Sequence, residues 1–143
     1  MSFEEPISGF HGGPESAVSH MQRGNIDVSL GGGEFGRGFY MSDRLHVAKA
    51  WAVNKHSSDS VLEARMREGE FWKLDINPLD YRQACELRRK LRRQSTTRTH
   101  RVGCDLVWGR IVGGANIYSD QYKAESEDAQ SFLNGNSVVR LIW

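Results

Sequence analysis

Glycine shapes the first third of this chain more than any other residue type. Of the 15 glycines in 143 residues, several cluster at Gly12-Gly13 and between Gly31 and Gly38. Such clusters mark places where the backbone turns tightly or approaches a ligand closely. The segments between them are short, so each one is assigned from its own pattern of apolar residues.

The patterns predict short strands and helices in mixed order. Strands are indicated over residues 7–11, 26–30, 39–42, 70–76 and 105–112. Helices are indicated over residues 14–23, 45–54 and 79–94. Helix and strand both remain open for residues 61–67 and 137–143, and residues 116–130 have no clear pattern. Because the elements mix without a regular βαβ rhythm, we predict the α+β class.

The bulk numbers favour a single domain over residues 1–143 with one core. Hydrophobic residues make up 38% and charged residues 26%, as in ordinary globular proteins. The formal net charge of +1 gives the whole chain no bias toward nucleic acid or membrane. No apolar run approaches the ~20 residues that cross a bilayer, and the acidic N-terminus has no signal-peptide pattern. We therefore expect a cytoplasmic protein without a membrane partner; export by a route that needs no signal peptide, or action in a target cell's cytoplasm, stays open.

Cysteine and histidine give no sign of a metal centre. Cys85 and Cys104 have neither metal-ligand nor disulfide-framework spacing. The histidines at 20, 46, 56 and 100 are scattered along the chain. We expect no metal.

Two glycine-bounded motifs are the best candidates for a site: residues 10–13 (FHGG) and 36–42 (GRGFYMS). The first places His11 at a strand end, next to a bare backbone that can bond a flat carboxamide through the Gly12 N–H and C=O. The second places Tyr40 on a strand, and Trp51 follows on the next helix. Two aromatic side chains on adjacent elements can sandwich a planar heterocycle.

These motifs resemble the diphtheria-toxin-like and PARP-like branch of the ADP-ribosyltransferases, in particular a bacterial group of small domains. The matching pieces are residues 11–12, 38–43 and 48–52. In PARPs a His-Gly pair precedes a Gly-Ile-Tyr-Phe strand, and a helix carries an aromatic residue eleven positions after that tyrosine, as Trp51 follows Tyr40. Residues 104–112 and 129–132 are similar to later phrases of the bacterial group. The resemblance spans most of the chain, but only its first third is specific.

The resemblance implies a split central β-sheet with flanking helices and an NAD⁺ cleft between the sheets. NAD⁺ would be the substrate. His11 would bond a ribose hydroxyl in the adenosine half, and the Gly12 backbone would hold the nicotinamide carboxamide. Tyr40 and Trp51 would stack on the two faces of the nicotinamide ring. Arg37, in the glycine loop expected to act as a flexible lid, would meet the pyrophosphate.

Two departures from the family pattern concern the chemistry. PARPs carry a serine at the position of Ala48, so one hydrogen bond to the carboxamide is missing or comes from Ser42. The third catalytic residue is Gln130, which fits the bacterial group, or Glu127 of a Glu-x-Glu pair. A glutamine cannot act as an anion or a general base.

The resulting expectation is an enzyme that transfers a single ADP-ribose from NAD⁺ to a protein or nucleic acid, as a toxin, effector or defence factor. An antitoxin or immunity protein is a further conceivable partner. The alternatives are an NAD⁺ glycohydrolase on the same fold and an inactive module that binds NAD⁺, ADP-ribose or RNA. Residues 82–93 form a basic helix face, which is either simply solvated or steers an acidic acceptor.

Overall fold

A computed structural model describes residues 5–114 and 117–143. Within these ranges the chain forms an α+β fold with a mostly antiparallel sheet and five helices. The helices are α1 (Glu15–Gln22), α2 (Leu45–His56), α3 (Glu68–Phe71), α4 (Tyr81–Gln94) and α5 (Glu127–Leu133). The strands are β1 (Ile7–Gly12), β2 (Gly32–Gly33), β3 (Gly36–Arg37), β4 (Phe39–Ser42), β5 (Val61–Met66), β6 (Ile76–Pro78), β7 (Leu106–Arg110), β8 (Asp120–Ala124) and β9 (Val138–Ile142). Among the described helices, none has the length and apolar character needed to cross a membrane.

Seven strands form one sheet in the order β6-β7-β8-β4-β1-β5-β9, and β2 and β3 form a separate hairpin. Strand β1 pairs with β5 over six consecutive residues, and β4 pairs with β8 over four. Between β1 and β4, in contrast, the pairing contains only Phe10 and Ser42. The seven strands therefore form one sheet, in which the pairing between β1 and β4 is the shortest.

The core lies in two clusters on opposite faces of the sheet. The larger cluster packs α1, α3 and α5 against the sheet through residues such as Val18, Phe71 and Leu133. The smaller cluster packs α4 and the β2–β3 hairpin against β7. Leu106 belongs to the first cluster and its neighbour Val107 to the second, and adjacent residues of a strand point to opposite faces.

The predicted strand over residues 26–30 is wrong. Ile26 and Val28 are buried, as a strand pattern requires, but no strand forms there. The Ile26 amide donates to Asn134 Oδ1 at 2.8 Å, and the Val28 amide donates to Gln130 Oε1 at 3.0 Å. Side chains from the α5 region therefore supply the hydrogen bonds that a neighbouring strand would have given.

The predicted strand over residues 70–76 is also wrong, except at its last residue. Residues 68–71 form α3, and only Ile76 belongs to a strand, β6. Phe71 is buried and Leu74, three residues later, packs against the same cluster, which is a helical rather than an alternating spacing. Pro78 is the last residue of β6, and the position of this strand at the sheet edge tolerates the missing amide.

The two segments that the sequence left undecided between helix and strand are both strands. Residues 61–66 and 138–142 form β5 and β9, which pair with each other along five residues. The polar segment without a clear pattern contains β8 and α5. The glycine-rich loop forms the β2–β3 hairpin.

Gly12 is where β1 and α2 come into closest contact, and this predicts a stability difference between two neighbouring glycines. A Cβ at Gly12 would lie 2.1 Å from the Ala48 carbonyl oxygen, whereas a Cβ at Gly13 would meet its nearest atoms at 3.7 Å. We expect Gly12→Ala to lower the free energy of unfolding by ~1–3 kcal/mol by pushing α2 away from β1. Gly13→Ala should stay within ~0.5 kcal/mol of wild type. Urea unfolding of both variants checks this, and equal stabilities would contradict the packing described.

Candidate functional site

The side chain of His11 on β1 links this strand to β4. Its Nδ1 lies 2.7 Å from the backbone oxygen of Tyr40 on β4, and its ring stacks on Phe39 at 4.4 Å between centroids. A carbonyl oxygen only accepts hydrogen bonds, so Nδ1 carries the hydrogen and donates it. The imidazole is thereby fixed in one orientation across the β1–β4 junction.

The protonation state of His11 follows from the same surroundings. Burial lowers its pKa below the usual 6.5, against the opposing effect of the hydrogen bond to Tyr40, and nearby His56 adds to the lowering. The ring is therefore neutral at pH 7, with its hydrogen on Nδ1. Nε2 is left as an acceptor, which suits a ligand group that donates, such as a hydroxyl.

The backbone polar groups of Gly12 point toward β4. The Gly13 amide donates to Ser60 oxygen on the β5 side. Because backbone groups of successive strand residues point to alternate sides, the Gly12 N–H and C=O point toward β4. On that side the described pairing contains only Phe10 and Ser42. A donor and an acceptor with no strand partner thus lie side by side on Gly12, as a carboxamide ligand requires.

Tyr40 lies beneath the β2–β3 hairpin. Its hydroxyl donates to the Gly36 oxygen and accepts from the Phe35 amide at 3.0 Å. Gly33 lies against the ring, since a Cβ there would be 3.0 Å from the ring carbon Cζ. Burial, with a contribution from the negative charges of Glu34 and Glu125, raises the pKa of Tyr40 well above its usual value. The phenol is therefore neutral and is held by the hairpin.

The hairpin is itself hydrogen-bonded to residues 95–100, the segment after α4. The Gly33 amide donates to Thr97 oxygen, and the Arg37 amide donates to His100 oxygen. Arg37 Nε donates to Arg98 oxygen at 2.8 Å. The segment expected to be a flexible lid is thus anchored, and part of the guanidinium expected to meet a pyrophosphate is engaged by protein.

Trp51 is a surface residue and does not serve as a core aromatic. Ala48 and Ala52 form the buried face of α2, whereas Trp51 is 54% exposed. Lys55, one turn further along the helix, places its Nζ 5.5 Å from the centre of the indole ring. Packing therefore does not account for a tryptophan here, and its ring is accessible to a ligand.

Ser42 retains part of its hydrogen-bonding capacity. Its Oγ donates to the Arg44 oxygen at 2.8 Å, which leaves the hydroxyl oxygen able to accept. The residue is buried and lies opposite both Phe10 and Gln121 in the sheet. It can serve a donor group of a ligand, such as the amide nitrogen of a carboxamide.

Gln130 and Glu127 lie on α5, away from Tyr40. Gln130 accepts the Val28 amide and so holds the loop before the hairpin. Glu127 is exposed in the first turn of the helix. Helix α5 packs in the larger core cluster, while Tyr40 packs against the smaller cluster on the opposite face. The structure does not bring either side chain together with the phenol.

Two other carboxylates lie near Tyr40: Glu34, which the sequence did not indicate, and Glu125, the first glutamate of the Glu-x-Glu pair. Glu34 Oε1 accepts from Gln121 Nε2 at 2.9 Å and from the Val112 amide at 2.8 Å, and Oε2 lies 2.9 Å from Arg88 Nε. These partners are 54 to 87 residues away in sequence, so no local pattern indicates them. Glu34 fastens the hairpin to β8 and α4.

Glu125 forms a buried ion pair with Lys123. Their side chains are 2% and 0% exposed. Glu125 also accepts the amides of Val102 and Gly103 at 3.0 and 2.8 Å. Burial alone would raise the pKa of Glu125, but the hydrogen bond from Lys123 and those from the two backbone amides hold this pKa below its usual range, so the carboxylate is charged. The first glutamate of the Glu-x-Glu pair is therefore a structural anion.

Two open concavities lie near these residues. One, of about 720 Å³, lies next to the end of β1 and is lined by residues of the α1 start, the α2 end and the loop between α2 and β5, including Pro14, Val53 and His56. The other, of about 330 Å³, is lined by Cys104, Glu125 and neighbouring polar residues. Burial raises the pKa of Cys104 to about 11, so its thiol is protonated and a poor nucleophile at neutral pH. Tyr40 and Trp51 line neither concavity.

Comparison with protein-family models and with curated proteins finds no match to this chain. In the part of the chain that the structure describes, no group of three or more histidine, cysteine, aspartate and glutamate side chains is placed to hold a metal ion.

Proposed function

We propose that this chain is an ADP-ribosyltransferase-like protein that binds NAD⁺ at the β1–β4 junction and transfers ADP-ribose to a macromolecule. The proposal depends on two features at the junction: the neutral His11, whose Nε2 is an acceptor, and the Gly12 backbone, which points toward β4 but has no paired residue there. A toxin, effector or defence factor is the role that fits such an activity.

The groups of NAD⁺ match the junction in hydrogen-bonding type. A carboxamide has a donor and an acceptor side by side, as the Gly12 backbone does. A ribose hydroxyl can donate to His11 Nε2. The nicotinamide ring can stack on the exposed indole of Trp51. Access to the Tyr40 ring requires that the β2–β3 hairpin shift away from it, since Gly33 lies against the ring.

The reaction would begin with cleavage of the bond between nicotinamide nitrogen and ribose C1′. The electron pair leaves with nicotinamide, which departs neutral, and C1′ gains oxocarbenium character. An acceptor oxygen or nitrogen then donates an electron pair to C1′ and releases its proton to solvent.

A specific observation also favours a second candidate, a module that binds NAD⁺ or ADP-ribose without turnover. Glu125 is paired with Lys123 and Glu34 with Arg88, and Gln130 is bonded to backbone. None of these three side chains is a carboxylate free to act as a base. Binding without release of nicotinamide would select this candidate.

NAD⁺ labelled in its adenylate half, incubated with the protein in host lysate, tests the proposal. We expect label to enter protein or nucleic acid with wild type and with Trp72→Ala, whose indole is 52% exposed. Trp51→Ala, which removes an equally exposed indole, should reduce labelling about tenfold, because stacking on an aromatic ring contributes ~1–3 kcal/mol.

The remaining outcomes separate the alternatives. Free ADP-ribose without labelled macromolecule would indicate a glycohydrolase. Neither label transfer nor loss of NAD⁺ would remove the enzyme proposal. Equal labelling by Trp51→Ala and Trp72→Ala would remove Trp51 from the site.

A further inference from the structure

Positive charge is concentrated on one part of a nearly neutral chain. Residues 81–101, which form α4 and the segment after it, contain eight arginines and lysines and a single acidic residue, Glu86. They therefore carry +7, whereas the whole chain carries +1. A domain with balanced overall charge thus presents one strongly cationic surface.

Most of these cations are exposed and engaged with no acidic group. Arg82 pairs with Glu86, and Arg88 pairs with Glu34. Within the described ranges, the other cations of α4 and Arg101 are exposed and form no ion pair; they are Arg89, Lys90, Arg92, Arg93 and Arg101. Like charges one turn apart on an exposed helix repel each other modestly, and a bound anion would relieve this repulsion.

An exposed aromatic group continues this surface at the start of α4. The Arg110 guanidinium lies 5.6 Å from the ring centre of Tyr81 and 4.2 Å from that of Tyr118. The two tyrosines are 57% and 72% exposed. Tyr81 is the first residue of α4, and the unpaired cations begin at Arg89, about two turns further along the same helix.

The combination indicates the class of anion. Arginine forks match phosphate oxygens, and exposed aromatic rings next to a guanidinium are platforms on which unpaired bases stack. An acidic protein segment would use the charges but not the rings. A duplex would use the phosphates, but its bases are already stacked on each other.

We propose that α4 and the Tyr81–Arg110–Tyr118 group form a binding surface for single-stranded nucleic acid. The phosphates contact the free arginines of α4, and the bases stack on the two tyrosines. This binding does not depend on any activity toward NAD⁺.

The position of this nucleic-acid surface also indicates the acceptor of ADP-ribose, an inference that rests on the proposed function. The inner face of α4 packs through Ala84 against Phe35, whose amide bonds the Tyr40 hydroxyl. Arg88 of the same helix holds Glu34 in the hairpin turn. A nucleic acid bound on α4 would therefore lie beside the hairpin that covers Tyr40. Single-stranded nucleic acid is for this reason the favoured acceptor for ADP-ribose.

Fluorescence anisotropy with labelled oligouridine and oligothymidine tests the surface. We expect saturable binding by wild type that weakens as NaCl rises from roughly 50 to 200 mM, because phosphate contacts release counterions. Arg89→Gln/Arg92→Gln/Arg93→Gln should weaken binding at least about tenfold and reduce the slope of log K against log salt by about 2. Tyr81→Ala/Tyr118→Ala should weaken binding about tenfold while leaving that slope unchanged.

The matched control removes the same charge from other exposed positions, as Arg23→Gln/Arg44→Gln/Arg67→Gln. It should bind like wild type. If this control weakened oligonucleotide binding equally, the loss of binding would depend only on the net charge of the protein, and the proposal would be overturned. Competition by polyglutamate as strong as by oligouridine, or duplex bound as tightly as single strand, would overturn it as well. Failure of NAD⁺ turnover with intact oligonucleotide binding would leave the surface standing and reject only the proposed enzyme.

Discussion

Lys123→Met is expected to lower the free energy of unfolding by about 3–5 kcal/mol, because it leaves the buried Glu125 carboxylate without its cation. The Lys123 side chain is completely buried, and Glu125 is 2% exposed. Two backbone amides would still donate to Glu125, but they do not neutralise its charge. Urea unfolding at pH 7 measures the loss.

The same substitution at Lys73 provides the control. Lys73 is 72% exposed and pairs only with Glu70 on the surface, so Lys73→Met should change stability by less than about 0.5 kcal/mol. Equal stability of the two variants would contradict a buried ion pair between Lys123 and Glu125.

The stability that Lys123→Met loses relative to wild type should depend on pH. In wild type the pKa of Glu125 is lowered on folding, so its stabilisation is present above the unfolded pKa and is lost as pH falls through the folded value. In the variant the carboxylate lacks its cation, and burial raises its pKa instead. The deficit relative to wild type should therefore shrink as the pH is lowered toward 5 and the variant's carboxylate becomes protonated.

His11→Asn is expected to slow NAD⁺ consumption by about 100-fold while leaving the protein folded. The asparagine amide can take the place of Nδ1 and donate to the Tyr40 oxygen, which keeps the contact across the β1–β4 junction. It has no acceptor at the position of Nε2. The variant thus keeps the hydrogen bond to the Tyr40 oxygen but removes the acceptor that Nε2 is proposed to offer to the ligand. His11→Gln, whose longer amide reaches the Nε2 position, should recover part of the activity.

The loss of activity at acidic pH should follow the protonation of His11. Protonation turns Nε2 from an acceptor into a donor, so activity should fall only as the pH drops through the lowered pKa of His11, below 6.5. Because folding lowers this pKa, the unfolded chain binds more protons below pH 6.5, and stability should fall in the same range. An acidic limb that is unchanged in His11→Asn would contradict the role of His11.

The helices were largely predictable because their apolar spacing is local. Helices α1, α2 and α4 form within three residues of the predicted bounds, and β1, β4 and β7 form where strands were expected. The strand expected over residues 26–30 does not form because α5 side chains satisfy its amides from more than 100 residues away. No local pattern carries such information.

In the candidate site too, some features follow from local sequence and others depend on contacts that are distant in sequence. The positions of His11, Tyr40 and Trp51 on β1, β4 and α2 follow from local motifs. The surroundings of Tyr40 do not, because Glu34 and the hairpin reach it through contacts distant in sequence. Glu125 directly follows β8 and lies two residues after Lys123, so recognition of β8 would have suggested their pairing.

Calorimetric titration with NAD⁺ is the most direct test of the β1–β4 junction as a nucleotide site. Saturable one-to-one binding is predicted for wild type and for Trp72→Ala, with clearly weaker binding for His11→Asn. Absence of binding by folded wild-type protein up to roughly 1 mM NAD⁺, the upper end of ordinary substrate affinities, would contradict the assignment.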